Sequence, residues 1–183
     1  MSRPQFVFGY GSLAADLDGA VVELCGHRRV WGVAMDNSVD LPGYKHYVLR
    51  SDGSRPPVFV AFLDLAEDAA SAVNGVAVPV DDAALRELDQ RERNYERSDV
   101  TGGVVGATGT VWAYVGSPPG RARLRNARDR GCAVISRDYL EDVRAGFSVL
   151  GPAQLAAFER STDLDGLEAW DLVLIRHALV TTR

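Results

Sequence analysis

Hydrophobic positions along the chain change their spacing about half-way. Up to about residue 80 they come in short runs cut off by glycine, proline and small polar residues, which is strand patterning. Gln5–Gly9 (QFVFG) is apolar and stops at a glycine. Segments 21–24, 30–35 and 44–50 read as further strands, divided by Gly26, Gly32 and the turn-like Leu41-Pro42-Gly43. The stretch 51–57 (SDGSRPP) is turn chemistry throughout. Strands are expected again at 58–65 and 73–80, the second with Pro79 marking an edge or an end.

After that the spacing turns helical. Residues 82–92 set Ala84, Leu85 and Leu88 on one face behind Asp81, a good N-cap. Segments 95–100 and 108–115 return to strand, and Gly102, Gly103 and Gly106 between them suit a hairpin. The stretch 121–130 carries five arginines and is expected as a solvated, helix-compatible surface segment. Ser136 opens a second helix, with Ile135 and Leu140 at the positions of a hydrophobic staple. Val143, Phe147 and Leu150 continue its buried stripe, Gly151 ends it, and Pro152 starts another. The tail 172–180 is apolar and fits strand or helix. Strands first and helices later, without regular βαβ alternation, predict an α+β fold. No repeat or linker interrupts the chain, so 1–183 is expected to form a single domain.

Composition narrows the function classes. At 183 residues and 46% hydrophobic content, the chain is long enough for one core. A net charge of −5 works against phosphate backbones and acidic lipid surfaces, so neither nucleic acid nor a membrane is expected as a partner. No run approaches the ~20 apolar residues of a membrane span, and the N-terminus lacks the apolar stretch of a secretory signal. A cytoplasmic location with two free thiols, Cys25 and Cys132, is expected, with Cys25 buried or inert. His27, His46 and His177 form no ligand-spaced pair, so no metal site is expected.

The chemistry concentrates in two places. At Phe8-Gly9-Tyr10-Gly11-Ser12-Leu13 a strand runs into two glycines flanking a tyrosine. Without a Cβ the backbone turns tightly and comes close to a ligand, and its successive N–H groups can face a carboxylate or a developing oxyanion. Gly9-x-Gly11-x-x-Ala14 also fits a dinucleotide fingerprint, but that demands a full helix directly afterwards. Gly19 and Val21-Val22 leave room for one or two turns only. No Gly-Lys-Ser/Thr follows, and Ser12 lies outside a G-x-S-x-G elbow. The second place is Glu92, which follows Leu85 and Leu88 at i+7 and i+4 on the apolar face of the 82–92 helix. Partial burial and the negative end of a helix dipole both favour the neutral form of a carboxyl group, which suits acid/base work.

FGYGSL (8–13) and LDQRERNYERSDV (88–100) together resemble the gamma-glutamylcyclotransferase superfamily. VNGV (73–76) and VWAYV (111–115) resemble its strands on either side of that helix, and ISRDYLEDVRAGFSVLG (135–151) resembles its late helix. The resemblance implies a small mixed β-barrel flanked by helices, with the loop and the glutamate meeting at one mouth. It also implies a reaction without metal or organic cofactor. The α-amine of a γ-glutamyl substrate attacks its own γ-carbonyl and releases 5-oxoproline with a free amine. Glu92 matches the family's catalytic position, and Phe8, Gly9, Tyr10, Gly11, Ser12 and Leu13 match its substrate loop. Arg93 stands where members often carry glycine, so the leaving group stays open among glutathione, a γ-glutamyl amino acid, a γ-glutamylamine and an acylated intermediate. Tyr95, Tyr114 and Tyr139 are all open as the pocket tyrosine, and Tyr114 is placed with the substrate-binding residues. Arg28, Arg29 and Arg91 could meet a substrate carboxylate, although solvation is the expectation for each. The alternative function is a non-catalytic protein that keeps the loop to bind a small ligand or an interaction partner. Oligomeric state is not legible.

Overall fold

The computed structural model describes residues 3–16, 19–40 and 45–176. In chain order the elements are β1 Gln5–Gly9, α1 Ser12–Asp16, β2 Ala20–Asp36, β3 Lys45–Leu49, β4 Phe59–Val80, α2 Asp82–Arg91 and β5 Tyr95–Asp99. There follow β6 Thr110–Gly116, α3 Pro118–Asp129, β7 Ala133–Ser136, α4 Arg137–Val149, α5 Pro152–Ser161, β8 Glu168–Trp170 and β9 Leu172–Arg176. Seven strands form a mixed sheet in the order β5-β6-β1-β4-β7-β8, with β2 also paired to β4, while β3 and β9 pair separately. β1 runs antiparallel to β4 and parallel to β6, and β7 runs parallel to both β4 and β8. Among the described residues β5 and β8 do not pair with each other, so the mixed sheet stays open rather than closing into a ring.

The early segments merge. β2 and β4 are two long strands whose ladder runs from Ala20↔Ala77 to Asp36↔Phe59, with register shifts at Cys25/His27 and Trp31/Val33. Gly26, at φ +77°, and Gly32 lie in those shifts, so the glycines that looked like strand ends are bulges within one strand. The polar stretch between 65 and 73 belongs to β4 as well, with both faces largely open to solvent, so no alternation marks it. β7 and β8, of 4 and 3 residues, are too short to leave a periodic signal. Leu41-Pro42-Gly43, Tyr44 and the end of the tail fall outside the described residues, and the start of the tail is β9.

Helices largely keep their expected caps. Asp81 accepts the Ala84 N–H, and Ser136 accepts the Tyr139 N–H. Val143 and Phe147 are buried on α4, where Phe147 stacks on Phe158 of α5 at 4.8 Å. α3 departs from expectation, because it is not a free solvated segment. Leu124 and Ala127 are buried, and its arginines dock: Arg123 Nε donates to Ala34 O at 2.9 Å and Arg121 Nε to Asp64 Oδ2 at 2.8 Å. Asp64, 1% exposed, also accepts the N–H groups of Leu65 and Gly116 at 2.7 and 2.6 Å. One buried carboxylate thereby ties α3 and β6 to β4. No helix among the described residues is long and apolar enough to cross a membrane.

Candidate active site

β1 delivers the glycine loop to the centre of the sheet. Val7 and Phe8 are fully buried, and the strand stops at Gly9 because α1 folds straight back over it. A Cβ on Gly9 would stand 2.9 Å from the backbone of Leu13 and Ala14, so this glycine is required by space. On Gly11 a Cβ would stand 3.2 Å from the Tyr139 hydroxyl, which places that phenol against the loop. Tyr10 turns inward, its ring 6.2 Å from Phe8 and its hydroxyl donating to Tyr114 O at 2.5 Å. Leu13 is buried with Val7, Leu85 and Tyr114. Phe8, Tyr10 and Leu13 are therefore anchors beneath the loop, while Ser12 is exposed at its crest.

Glu92 is the C-cap of α2 rather than its last helical residue, at φ −88° and ψ 54°, with its N–H bonded to Leu88 O. Leaving the helix does not turn the side chain out to solvent: it is 19% exposed. Its charge bears on Tyr10, Tyr95, Tyr114 and Tyr139, and on Lys45 of β3. The loop and the glutamate therefore share one neighbourhood lined by tyrosine. Arg91 Nε lies 3.0 Å from Glu92 Oε1.

The tyrosines divide by direction. Burial raises all three of Tyr10, Tyr95 and Tyr139 above the ordinary phenol value, with the Glu92 charge adding to it, so each stays neutral near pH 7. The Tyr95 hydroxyl donates to Leu63 O at 2.7 Å. Tyr139 packs edge-on against Phe62 at 5.1 Å, and hydrogen bonding from the backbone of Leu63 and Ser12 works against its burial. Tyr114 sends its hydroxyl the other way, to Asp89 Oδ1 at 2.8 Å, and offers the neighbourhood its backbone carbonyl instead. Burial also lowers Lys45, whose ammonium lies 4.7 Å from the centre of the Phe62 ring.

Of the three arginines, only Arg29 breaks with expectation. Arg29 is not solvated but 3% exposed. Its Nε donates to Tyr10 O at 2.9 Å, Nη2 to Asn74 O at 2.6 Å, and Nη1 to Ser161 Oγ at 2.8 Å. The guanidinium also sits over Phe147 and Phe158, 5.0 and 4.8 Å from their centres. Arg28, its neighbour, is exposed beside Asp68, as expected. Cys25 is free and exposed rather than buried. Cavities of about 500 Å³ between Arg50 and Trp170 and about 220 Å³ between Asn74 and Arg160 open elsewhere, and neither is lined by Glu92 or the loop.

Comparison with known proteins gives the family and the fold. A sequence model of the family described as gamma-glutamyl cyclotransferase, AIG2-like, matches residues 7–139, a span that holds both the loop and Glu92. No curated relative matches the chain in sequence. Among solved structures, a gamma-glutamyl cyclotransferase superposes with a TM-score of 0.55 at 15% identity, over 92% of this chain and 90% of its own. YkqA from Bacillus subtilis gives 0.57 at 14% identity, over 91% of this chain and 56% of its own. An uncharacterized human protein gives 0.55 at 15% identity, over 97% of this chain and 95% of its own.

Proposed function

The chain belongs to the AIG2-like gamma-glutamyl cyclotransferase family, and from that premise we propose that it cyclises a γ-glutamyl amide to 5-oxoproline and a free amine. The observation that carries this reading is the placement of Glu92. A carboxylate only 19% exposed bears on the tyrosines that touch the glycine loop. In the reaction Glu92 takes a proton from the substrate α-ammonium. The freed amine attacks the γ-carbonyl carbon, forming the ring C–N bond. The tetrahedral centre collapses as the old amide C–N bond breaks, Glu92 returns its proton to the departing nitrogen, and the second proton shed by the ring nitrogen leaves with the free amine as its ammonium.

Ring closure is intramolecular, so holding the glutamyl chain folded supplies much of the acceleration, within the ~7–11 kcal/mol available from orientation. General acid/base work by Glu92 adds roughly 10²–10⁴-fold. In this reading the backbone N–H at Gly11 receives the α-carboxylate or the oxyanion, and one such donor is worth about 3 kcal/mol. The neutral phenols of Tyr95 and Tyr139 close the site with hydroxyls rather than charges.

The pair between Arg91 and Glu92 favours a second reading, a ligand-binding protein whose carboxylate is occupied. Arg91 is 55% exposed, however. A solvent-screened pair of this kind is worth about 0–1 kcal/mol, so the arginine swings away at little cost. Assay of 5-oxoproline release from γ-glutamyl amino acids, peptides and amines separates the two. Turnover of any of them supports the enzyme, and saturable binding without turnover supports the second reading.

A further inference from the structure

Arg29 is a cation buried to 3% exposure. Five contacts account for its N–H donors: Tyr10 O at 2.9 Å, Asn74 O at 2.6 Å, Asn74 Oδ1 at 3.3 Å, Ser161 Oγ at 2.8 Å and Thr162 Oγ1 at 3.3 Å. Every one of these acceptors is neutral. Among the described residues no carboxylate pairs with it, and the groups that bear on its charge are the phenols of Tyr10 and Tyr139. Burial draws its pKa down to about 9, which still leaves the guanidinium charged at neutral pH. A buried cation is ordinarily matched by a buried anion, because the desolvation cost is otherwise uncompensated. Among the described residues that matching anion is missing, and the charge touches the glycine loop.

We infer that Arg29 is a positioning residue of the loop, holding the Tyr10 carbonyl so that the Gly11 N–H faces the substrate, and that its charge is the counter-ion of the substrate α-carboxylate. The Tyr10 C=O and the Gly11 N–H belong to one peptide unit, so a guanidinium bonded to the oxygen fixes that plane and polarises its N–H. Asn74 on β4 and Ser161 at the end of α5 fix the guanidinium in turn. The flat stack of Phe147 and Phe158 keeps water from screening it. An anion at the loop amides then completes a pair whose positive half is built into the fold. This inference rests on reading the loop as the cradle for a γ-glutamyl group.

The test compares binding of 5-oxoproline, which carries the carboxylate, with binding of its neutral carboxamide. Calorimetry is run on wild type, Arg29→Lys and Arg29→Met, with a thermal transition for each. Wild type is expected to prefer the carboxylate by roughly ten-fold or more, the scale of a modest charge interaction. In Arg29→Met the preference falls to about one. In Arg29→Lys the preference survives while both ligands weaken, because an ammonium keeps the charge and loses the fork. A purely structural arginine lowers the thermal transition without touching this ratio. An unchanged ratio in folded Arg29→Met overturns the inference. If that variant does not fold, lack of a preference in wild type or its loss in Arg29→Lys overturns it instead. Release of 5-oxoproline by a wild type that shows no carboxylate preference contradicts Arg29 alone. Failure both to release it and to bind either ligand removes the underlying reading as well.

Discussion

In the proposed reaction single residues carry the chemistry, and two of them differ in how openly the sequence shows them. Glu92 stands out because a carboxylate continues an apolar stripe, and the structure keeps it turned in although α2 ends one residue earlier. Arg29 is hidden by its setting. Side by side in a strand, Arg28 and Arg29 face opposite ways, and the bulge at Cys25/His27 decides which of them turns inward. A register shift of that kind leaves no mark in hydropathy, and charged residues are placed outside by default. Among the glycines, space sorts the positions. Gly9→Ala is expected to destabilise the fold by about 1–3 kcal/mol and to reduce turnover, because its Cβ meets the backbone of Leu13 and Ala14 at 2.9 Å. Gly102→Ala, with nothing within 4 Å, is the neutral control. Chemical denaturation of both variants checks the contrast, and equal midpoints would contradict it.

At the scale of elements, the Asp64 carboxylate is the joint that holds the helical layer to the sheet. It accepts from Arg121, Gly116 and Leu65, on α3, β6 and β4. Gly32 and Gly116 stay small for its sake, since a Cβ on either would stand 2.4 or 2.3 Å from its Oδ2. Asp64→Ala is expected to cost about 3–5 kcal/mol, because buried N–H groups lose their acceptor and Arg121 loses its anion. Urea unfolding measures this directly, and a loss under about 1 kcal/mol would show that the joint is dispensable. The caps of α2 and α4 were legible because Asp81 and Ser136 signal locally. The docking of α3 was not. Whether an arginine meets water or a buried aspartate 57 residues away is settled by tertiary structure alone.

Over the whole molecule, acid stability follows from three aspartates at the surface. Hydrogen bonds from Ser54, Ser71 and Thr101 hold Asp52, Asp68 and Asp99 below the ordinary aspartate value of 3.8. A carboxylate lowered in the folded state stabilises it above the unfolded value, and that contribution is lost as pH falls through the lowered one. The triple variant with Asn at these positions is therefore expected to be less stable than wild type at pH 5–7, with the gap closing below about pH 3.8. Denaturant midpoints across that range check it, and a gap that widens in acid would contradict it. The α+β class and the presence of the main strands and helices were legible because hydrophobic periodicity is local. The single long ladder of β2 and β4 was not, because glycine bulges and a solvent-exposed stretch look the same as turns.

The central claim is that Glu92 moves the proton at a γ-glutamyl amide, and release of 5-oxoproline by wild type and Glu92→Gln tests it most directly. Wild type is expected to release 5-oxoproline from at least one γ-glutamyl substrate. Glu92→Gln is expected to lose roughly 10²–10⁴-fold in kcat, with its thermal transition and its affinity for 5-oxoproline little changed. Equal turnover by both proteins would contradict it.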